Sequence, residues 1–139
     1  MVICDTSGLL AAFDRADPDY EAAATSLGES PYPRVISPYV IAELDHLLRR
    51  KLGHGAARTA LERLTGGAYE LPCLELEEIR HALGVDQIYG VFGIGITDAS
   101  LVVLADRYGT RDLLTFDERH FRKVTPLQGG AFRLLPLDA

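Results

Sequence analysis

Short apolar runs alternate with longer amphipathic ones along the whole chain, and this alternation constrains the fold more than any other feature. Apolar periodicity that switches repeatedly between the strand repeat and the helix repeat predicts α/β architecture. Val2 to Cys4 reads as a first strand, followed by helices over Ser7–Phe13 and Tyr20–Leu27 that are separated by Asp17-Pro18. Pro31 and Pro33 mark a loop, and Arg34–Ile36 is a second short strand. Ser37-Pro38 then opens a helix, with a capping serine and proline in the first helical position. This helix runs to about Leu52, and Val40, Ile41, Leu44, Leu47, Leu48 and Leu52 form one buried stripe along it. A further helix from about Ala56 to Leu64 ends at Gly66-Gly67, and Tyr69–Cys73 reads as a third strand. Glu75–Ala82 begins another helix. Ile96–Tyr108 is apolar nearly all round and is predicted to be a buried helix. Asp112–Phe116 reads as a strand, and Phe132–Leu135 as an edge strand. Strands joined by crossover helices form a parallel sheet, whose ligands bind outside the carboxyl ends of the strands.

At 139 residues and 47% apolar content, one domain over residues 1–139 is expected. No apolar run reaches the roughly 18 residues that span a bilayer. Met1-Val2-Ile3-Cys4-Asp5 meets an acid too early for a secretory signal. The expectation is a soluble, cytoplasmic protein with no membrane partner. Cys4 and Cys73 sit in apolar runs without a closely spaced partner, and both read as buried reduced thiols. A net charge of −6 argues against a general DNA-coating protein. Only Lys51 and Lys123 are lysines; the remaining cations are arginines, whose forks suit a few oriented phosphate contacts, although a compositional bias toward arginine explains them equally well.

Four acids stand where a predicted element begins or ends, each flanked by apolar or small residues: Asp5, Glu43, Asp98 and Asp117. A carboxylate in such surroundings is costly unless it is paired, hydrogen-bonded or bound to a metal. Each has a purely structural use as well. Asp5 and Asp117 are both placed to cap a following helix, and Asp98 suits the positive end of a helix dipole. Glu43 and Asp45 lie at opposite edges of the same stripe, and spacing does not choose between them. The joint arrangement favours a shared role, because carboxylates within about 4 Å repel by roughly 4 kcal/mol per pair at an effective dielectric near 20. A divalent cation relieves that repulsion. Oxygen ligands select Mg²⁺ or Mn²⁺ over zinc, and such ions serve phosphate chemistry by binding the phosphate, acidifying water and stabilising the leaving oxygen. His46, His54, His81 and His120 lack metal spacing and a nucleophile elbow, and read as surface or helix-end residues.

Four segments carry a resemblance: Asp5-Thr6-Ser7-Gly8-Leu9-Leu10-Ala11, Ser37-Pro38-Tyr39-Val40-Ile41-Ala42-Glu43-Leu44, Thr97-Asp98-Ala99-Ser100-Leu101-Val102-Val103-Leu104-Ala105, and Leu114-Thr115-Phe116-Asp117-Glu118-Arg119-His120-Phe121. In this order they resemble the PIN-domain ribonucleases of the VapC type, the toxin half of type II toxin–antitoxin pairs. The resemblance implies a PIN-like three-layer sandwich, with a central, mostly parallel sheet of four or five strands flanked by helices. It implies Asp5 and Asp98 as principal metal ligands, with Glu43, preferred to Asp45, and Asp117 completing the acidic cluster directly or through water. Ser7 and Thr115 match positions that orient ligands or water. The resemblance further implies a homodimer, a cognate VapB-type antitoxin whose C-terminal segment crosses the cleft, DNA contact only through that antitoxin, and structured RNA such as tRNA or rRNA as substrate, with inhibition of translation as the outcome.

The glycine-rich stretch from Gly84 to Gly95 reads as a flexible loop leading into the Asp98 helix, or as a loop facing substrate or partner. It matches no Walker or Rossmann phosphate loop. A haloacid-dehalogenase-like phosphatase would place a second Asp where Ser7 stands, and a receiver domain would pair early acids where Thr6 follows Asp5. A non-catalytic PIN-like module that binds RNA or a partner is the remaining alternative, and the presence of all four acids counts against it.

Overall fold

The computed structural model describes residues 1–139. Four three-residue strands, β1 (Val2–Cys4), β2 (Arg34–Ile36), β3 (Asp112–Leu114) and β4 (Arg133–Leu135), form one sheet in the order β2-β1-β3-β4. Every pairing is parallel, with Ile3 opposite Val35 on one side and Leu113 on the other, and Leu113 opposite Leu134. The central strands are covered on both faces, so Val2, Ile3, Cys4, Leu113 and Leu114 are all buried and the strands read as continuous apolar runs instead of alternating ones.

Seven helices flank the sheet: α1 (Thr6–Phe13), α2 (Tyr20–Glu29), α3 (Pro38–Leu52), α4 (His54–Leu64), α5 (Leu76–Tyr89), α6 (Ile96–Tyr108) and the single turn α7 (Glu118–Phe121). This is the α/β arrangement that the sequence predicts, a parallel sheet flanked by helices, with four strands. Helix α6 is buried continuously from Ala99 to Ala105, as its all-round apolar character predicts. Ser37 caps α3 by accepting from the Tyr39 N–H at 3.2 Å, ahead of Pro38 in the first helical position. No helix is long and apolar enough to cross a membrane.

Three sequence expectations need correction. Residues 69–73 form no strand; a single bridge joins Glu70 to Val35, and Pro72, which offers no N–H to a ladder, lies just beyond it. Helix α5 does not stop near Ala82 but continues through Gly84 to Tyr89, so the first half of the supposed flexible loop is helical. A mid-helix glycine costs about 1 kcal/mol. Here a reciprocal capping box between Glu75 and Glu78 and packing of Ala82 and Val85 into the core offset it. Cys4 is buried as expected, and burial pushes its thiol pKa up to about 12; Cys73 is exposed, and both are free.

Candidate active site

Strands β1 and β3 lie side by side, and the chain leaves them in opposite directions, from β1 toward β2 and from β3 toward β4. Such a divergence opens a crevice beyond the strand ends, where parallel sheets bind ligands. Asp5 follows β1 directly, and Thr115 and Asp117 follow β3. Close approach of α1 to β3 holds them together: a Cβ on Gly8 would stand 2.5 Å from the Leu114 carbonyl oxygen, so only glycine fits.

Asp5 begins α1 but makes no capping hydrogen bond. Its Oδ2 instead accepts from Thr115 Oγ1 at 2.7 Å and from Ser7 Oγ at 2.9 Å. The two hydroxyls are themselves fixed by backbone donors: the Phe116 N–H donates to Ser7 Oγ and the Asp117 N–H to Thr115 Oγ1, both at 3.0 Å. Each hydroxyl has one proton, and these bonds direct both protons to the same carboxylate oxygen. The 3.1 Å separation of the two hydroxyl oxygens is then proximity, with no proton left to bridge it. Asp5 Oδ1 receives no side-chain hydrogen bond. Burial, with Asp5 only 4% exposed, pushes its pKa up, while the Thr115 and Ser7 hydroxyls oppose the rise by stabilising the anion.

Asp98 lies in the first turn of α6 with 19% of its side chain exposed. Its pKa is pushed up to about 7, chiefly by burial and next by the charge of Asp5; His120 pulls it down, and Asp117 and Glu43 add to the rise. One carboxylate therefore senses the other three. Glu43, exposed on α3, lines a cleft of about 310 Å³ together with Thr97, Asp98, Asp117, His120 and Gly93. Asp45 points elsewhere, held by Arg49 one turn along the helix at 2.9 Å. The relative placement of α3 and α6 is set by a buried contact of 2.8 Å between Ser37 Oγ and Ser100 Oγ, with Ser100 donating onward to the Thr97 carbonyl at 2.6 Å. The capping role of Ser37 was legible in the sequence; its buried partner was not.

Asp117 does cap its helix, since its Oδ1 accepts from the His120 N–H at 3.1 Å. That single turn carries the His120 ring into the cleft; the residue stands at a helix end, one of its two expected places, and not on the open surface. His120 Nδ1 lies 2.7 Å from Asp117 Oδ2 and 3.1 Å from Asp98 Oδ2. Neither contact has hydrogen-bond geometry at the ring nitrogen, so Nδ1 is buried without a hydrogen-bond partner, close to two carboxylate oxygens. Ligand atoms from Asp98, Asp117 and His120 fall within 4.8 Å of one another. An orphaned imidazole nitrogen facing two carboxylates fits a divalent cation; Asp5 and Glu43 lie outside this group of three, Glu43 on the cleft lining and Asp5 buried behind it, close enough for its charge to raise the Asp98 pKa. These three side chains offer carboxylate oxygens and one imidazole nitrogen to such an ion, and the carboxylates of Asp5 and Glu43 add only oxygens. The signal for it was present in the sequence as Asp117-x-x-His120, a spacing that puts acid and imidazole on one side of a turn.

The PIN domain family matches residues 2–126. Ribonuclease VapC26 of Mycobacterium tuberculosis is 46% identical over 135 residues, covering 97% of this chain and 100% of that protein. Among solved structures, VapC20 of Mycobacterium tuberculosis, described as a sarcin-ricin loop cleaving toxin, superposes with a TM-score of 0.78 at 20% identity, over 84% of this chain and 90% of that one. A toxin–antitoxin complex from Klebsiella pneumoniae gives 0.66 at 19% identity over 91% and 98%. FitAcB from Neisseria gonorrhoeae gives 0.67 at 15% identity over 96% and 97%. At these identities the three structures are likenesses of fold.

Proposed function

This chain belongs to the PIN-domain family, in its VapC-type branch, and we propose that it is a Mg²⁺- or Mn²⁺-dependent endoribonuclease, the toxin of a toxin–antitoxin pair. Its substrate is structured RNA, tRNA or rRNA, and its effect is to inhibit translation. A VapB-type antitoxin restrains it, and two copies form a homodimer. The observation that carries the reading is convergence: Asp5, Glu43, Asp98 and Asp117 come from four separate stretches, and Asp98 responds to the charge of the other three. The names of relatives support the finer statements, since one is a ribonuclease, one a sarcin-ricin loop cleaving toxin and one a toxin–antitoxin complex.

Asp5 through Oδ1, Asp98, Asp117 and His120 through Nδ1 would hold the cation, with Glu43 contributing directly or through water. When bound, Mg²⁺ or Mn²⁺ supplies positive charge and Lewis acidity to a phosphodiester. Ser7 and Thr115 fix the rotation of the Asp5 carboxylate by occupying its Oδ2. Asp98 must release its proton before its oxygens can serve as ligands. Asp117 is oriented by the His120 N–H. Glu43, exposed at the cleft edge, is the carboxylate placed to take a proton from an incoming water.

The test uses purified protein free of antitoxin on total tRNA and rRNA, with EDTA, Mg²⁺ or Mn²⁺. Wild type cleaves only with metal. Asp5→Asn and Asp98→Asn each lose at least about a thousandfold, because several kcal/mol of charge stabilisation disappear at about 1.4 kcal/mol per tenfold. Equal cleavage by wild type and both variants, or no cleavage by wild type, overturns the reading. Expression without antitoxin should arrest growth and Asp98→Asn relieve the arrest; harmless wild-type expression at good yield removes the toxin assignment.

A further inference from the structure

Between α5 and α6 the chain makes a 3-10 turn, Gly90–Phe92, whose next residue, Gly93, lines the acidic cleft. The turn is held firmly. Gly93 has φ +88°, and a Cβ there would meet His120 Nε2 at 3.0 Å. Ile94 is buried, and the Thr125 N–H donates to the Tyr89 hydroxyl at 3.4 Å. Yet this fixed turn leaves apolar side chains in water: Val91 is 86% and Phe92 44% exposed. Lys123 Nζ lies over the Phe92 ring, 4.8 Å from its centroid, in a cation–π contact that covers one of the ring's two faces. Arg119, one residue before His120, has a guanidinium nitrogen 3.5 Å from the His120 ring. Neither Lys123 nor Arg119 is engaged by a carboxylate, in contrast to Arg122 between them, which pairs with Glu118 and Asp138. A chain of net charge −6 thus keeps two unneutralised cations and an exposed ring beside its acidic cleft.

An aromatic face for a base and cations for its phosphates are the components of single-strand nucleic-acid binding. A duplex offers no free base face, so such a rim selects unpaired nucleotides. The geometry points to Phe92 as the stacking platform for one unpaired base of a single-stranded RNA segment entering the cleft, with Lys123 and Arg119 holding neighbouring phosphates. This deepens the ribonuclease reading and rests on it. Phe92 acts on binding and specificity.

The experiment measures fluorescence anisotropy of labelled oligoadenylate, and of an abasic strand of equal length, on the full chain with Ca²⁺ replacing Mg²⁺. Phe92→Ala should weaken oligoadenylate binding about 5- to 150-fold, the range of one lost base–aromatic stack. Phe92→Trp should stay within about twofold, since tryptophan also offers a stacking face. The abasic strand should not distinguish wild type from Phe92→Ala. Lys123→Ala should weaken both strands alike and lower the salt slope by about one. Oligoadenylate that wild type does not bind, or that Phe92→Ala binds as wild type does, overturns the proposal. So does an equal loss on the abasic strand. A changed oligomeric state of Phe92→Ala in light scattering, with RNA affinity intact, assigns the ring to an interface between copies. Cleavage of tRNA and rRNA by wild type, measured in parallel, separates the two failures: retained cleavage with an inert Phe92 sinks only the platform, and absent cleavage sinks the nuclease reading beneath it.

Discussion

Asp5 and Asp117 both follow a central strand and both precede a helix, yet their carboxylates are held in opposite ways. Asp5 is buried and refuses the capping role; two hydroxyls, each fixed by a backbone N–H from the β3 side, occupy one of its oxygens. Asp117 is half-buried, caps α7, and turns its other oxygen toward the His120 ring. One wall of the site, buried behind the cleft lining, is therefore set by hydrogen bonds within packed protein, and the other, on the cleft itself, by a carboxylate and an imidazole in close approach. The first is rigid before any ligand arrives. The second has an orphaned ring nitrogen and a carboxyl whose pKa is pushed up to about 7, the two features that the proposed cation would relieve.

The largest difference between the walls should come from Thr115. Thr115→Val keeps the shape, removes a donor from Asp5 and leaves the Asp117 N–H without its acceptor. Loss of an outer-sphere partner costs about 10- to 100-fold in activity, and here the loss should fall on kcat with KM for RNA unchanged. Thr115→Ser should recover most of it. A Thr115→Val enzyme as active as wild type would show that the rigid wall is packing alone.

Gly8→Ala attacks the same wall without touching any polar group. Its Cβ would meet Leu114 backbone and side chain at 2.5 and 2.7 Å, so α1 must shift away from β3. Overpacking of this kind costs about 1–3 kcal/mol, read as a lower urea midpoint. If stability falls while activity per folded molecule holds, the hydroxyl network tolerates movement and the rigid wall is less rigid than its bonds suggest.

These features differ in how far the sequence discloses them. Ile96–Tyr108 is legible to the residue, because a helix buried on all sides leaves an unbroken apolar signature, and Asp98 stands out against it. Strand ends locate Asp5 and Asp117, but not their opposite uses, since capping depends on where a carboxylate turns, not on its position in the chain. Residues 69–73 carry strand composition, but only Glu70 reaches β2. Gly84 suggests a helix end, which tertiary packing overrides. His120 is signalled only by the Asp117-x-x-His120 spacing, because α7 is a single turn, too short for a longer period to reinforce it. The choice between Glu43 and Asp45 came from family resemblance, and the placement of Arg49 gives it a physical reason.

Proton occupancy separates the walls next. The Asp98 pKa is raised from 3.8 to about 7 in the folded protein, so between those values the folded state keeps a proton that the unfolded state has released. This contribution to stability is complete below about pH 4 and is lost as pH rises through about 7. Metal-free wild type should therefore lose stability between about pH 5 and pH 8, and Asp98→Asn should lose less. Cation binding runs the other way, because it must displace the proton: Mn²⁺ affinity measured by calorimetry should rise about tenfold per pH unit below about 7 and then level off. A pH-independent Mn²⁺ affinity would mean that Asp98 is not a ligand.

Glu43 and Asp45 give the finest resolution, since they share a helix and differ by only two positions. Glu43 is exposed on the cleft, and Asp45 is held by Arg49 in a pair one turn long. In the proposed function Glu43 serves the cation directly or through water, and an exposed ligand acting through water is replaceable, so Glu43→Gln should lower cleavage about tenfold, less than Asp5→Asn. Asp45→Asn should leave cleavage within about twofold and cost only about 0.3–0.5 kcal/mol of stability, the worth of an exposed i,i+4 pair. Glu43→Gln as damaging as Asp5→Asn would erase the distinction between the walls, because exposure would then say nothing about replaceability. Asp45→Asn as damaging as Glu43→Gln would move the functional edge of α3 to the face that Arg49 covers.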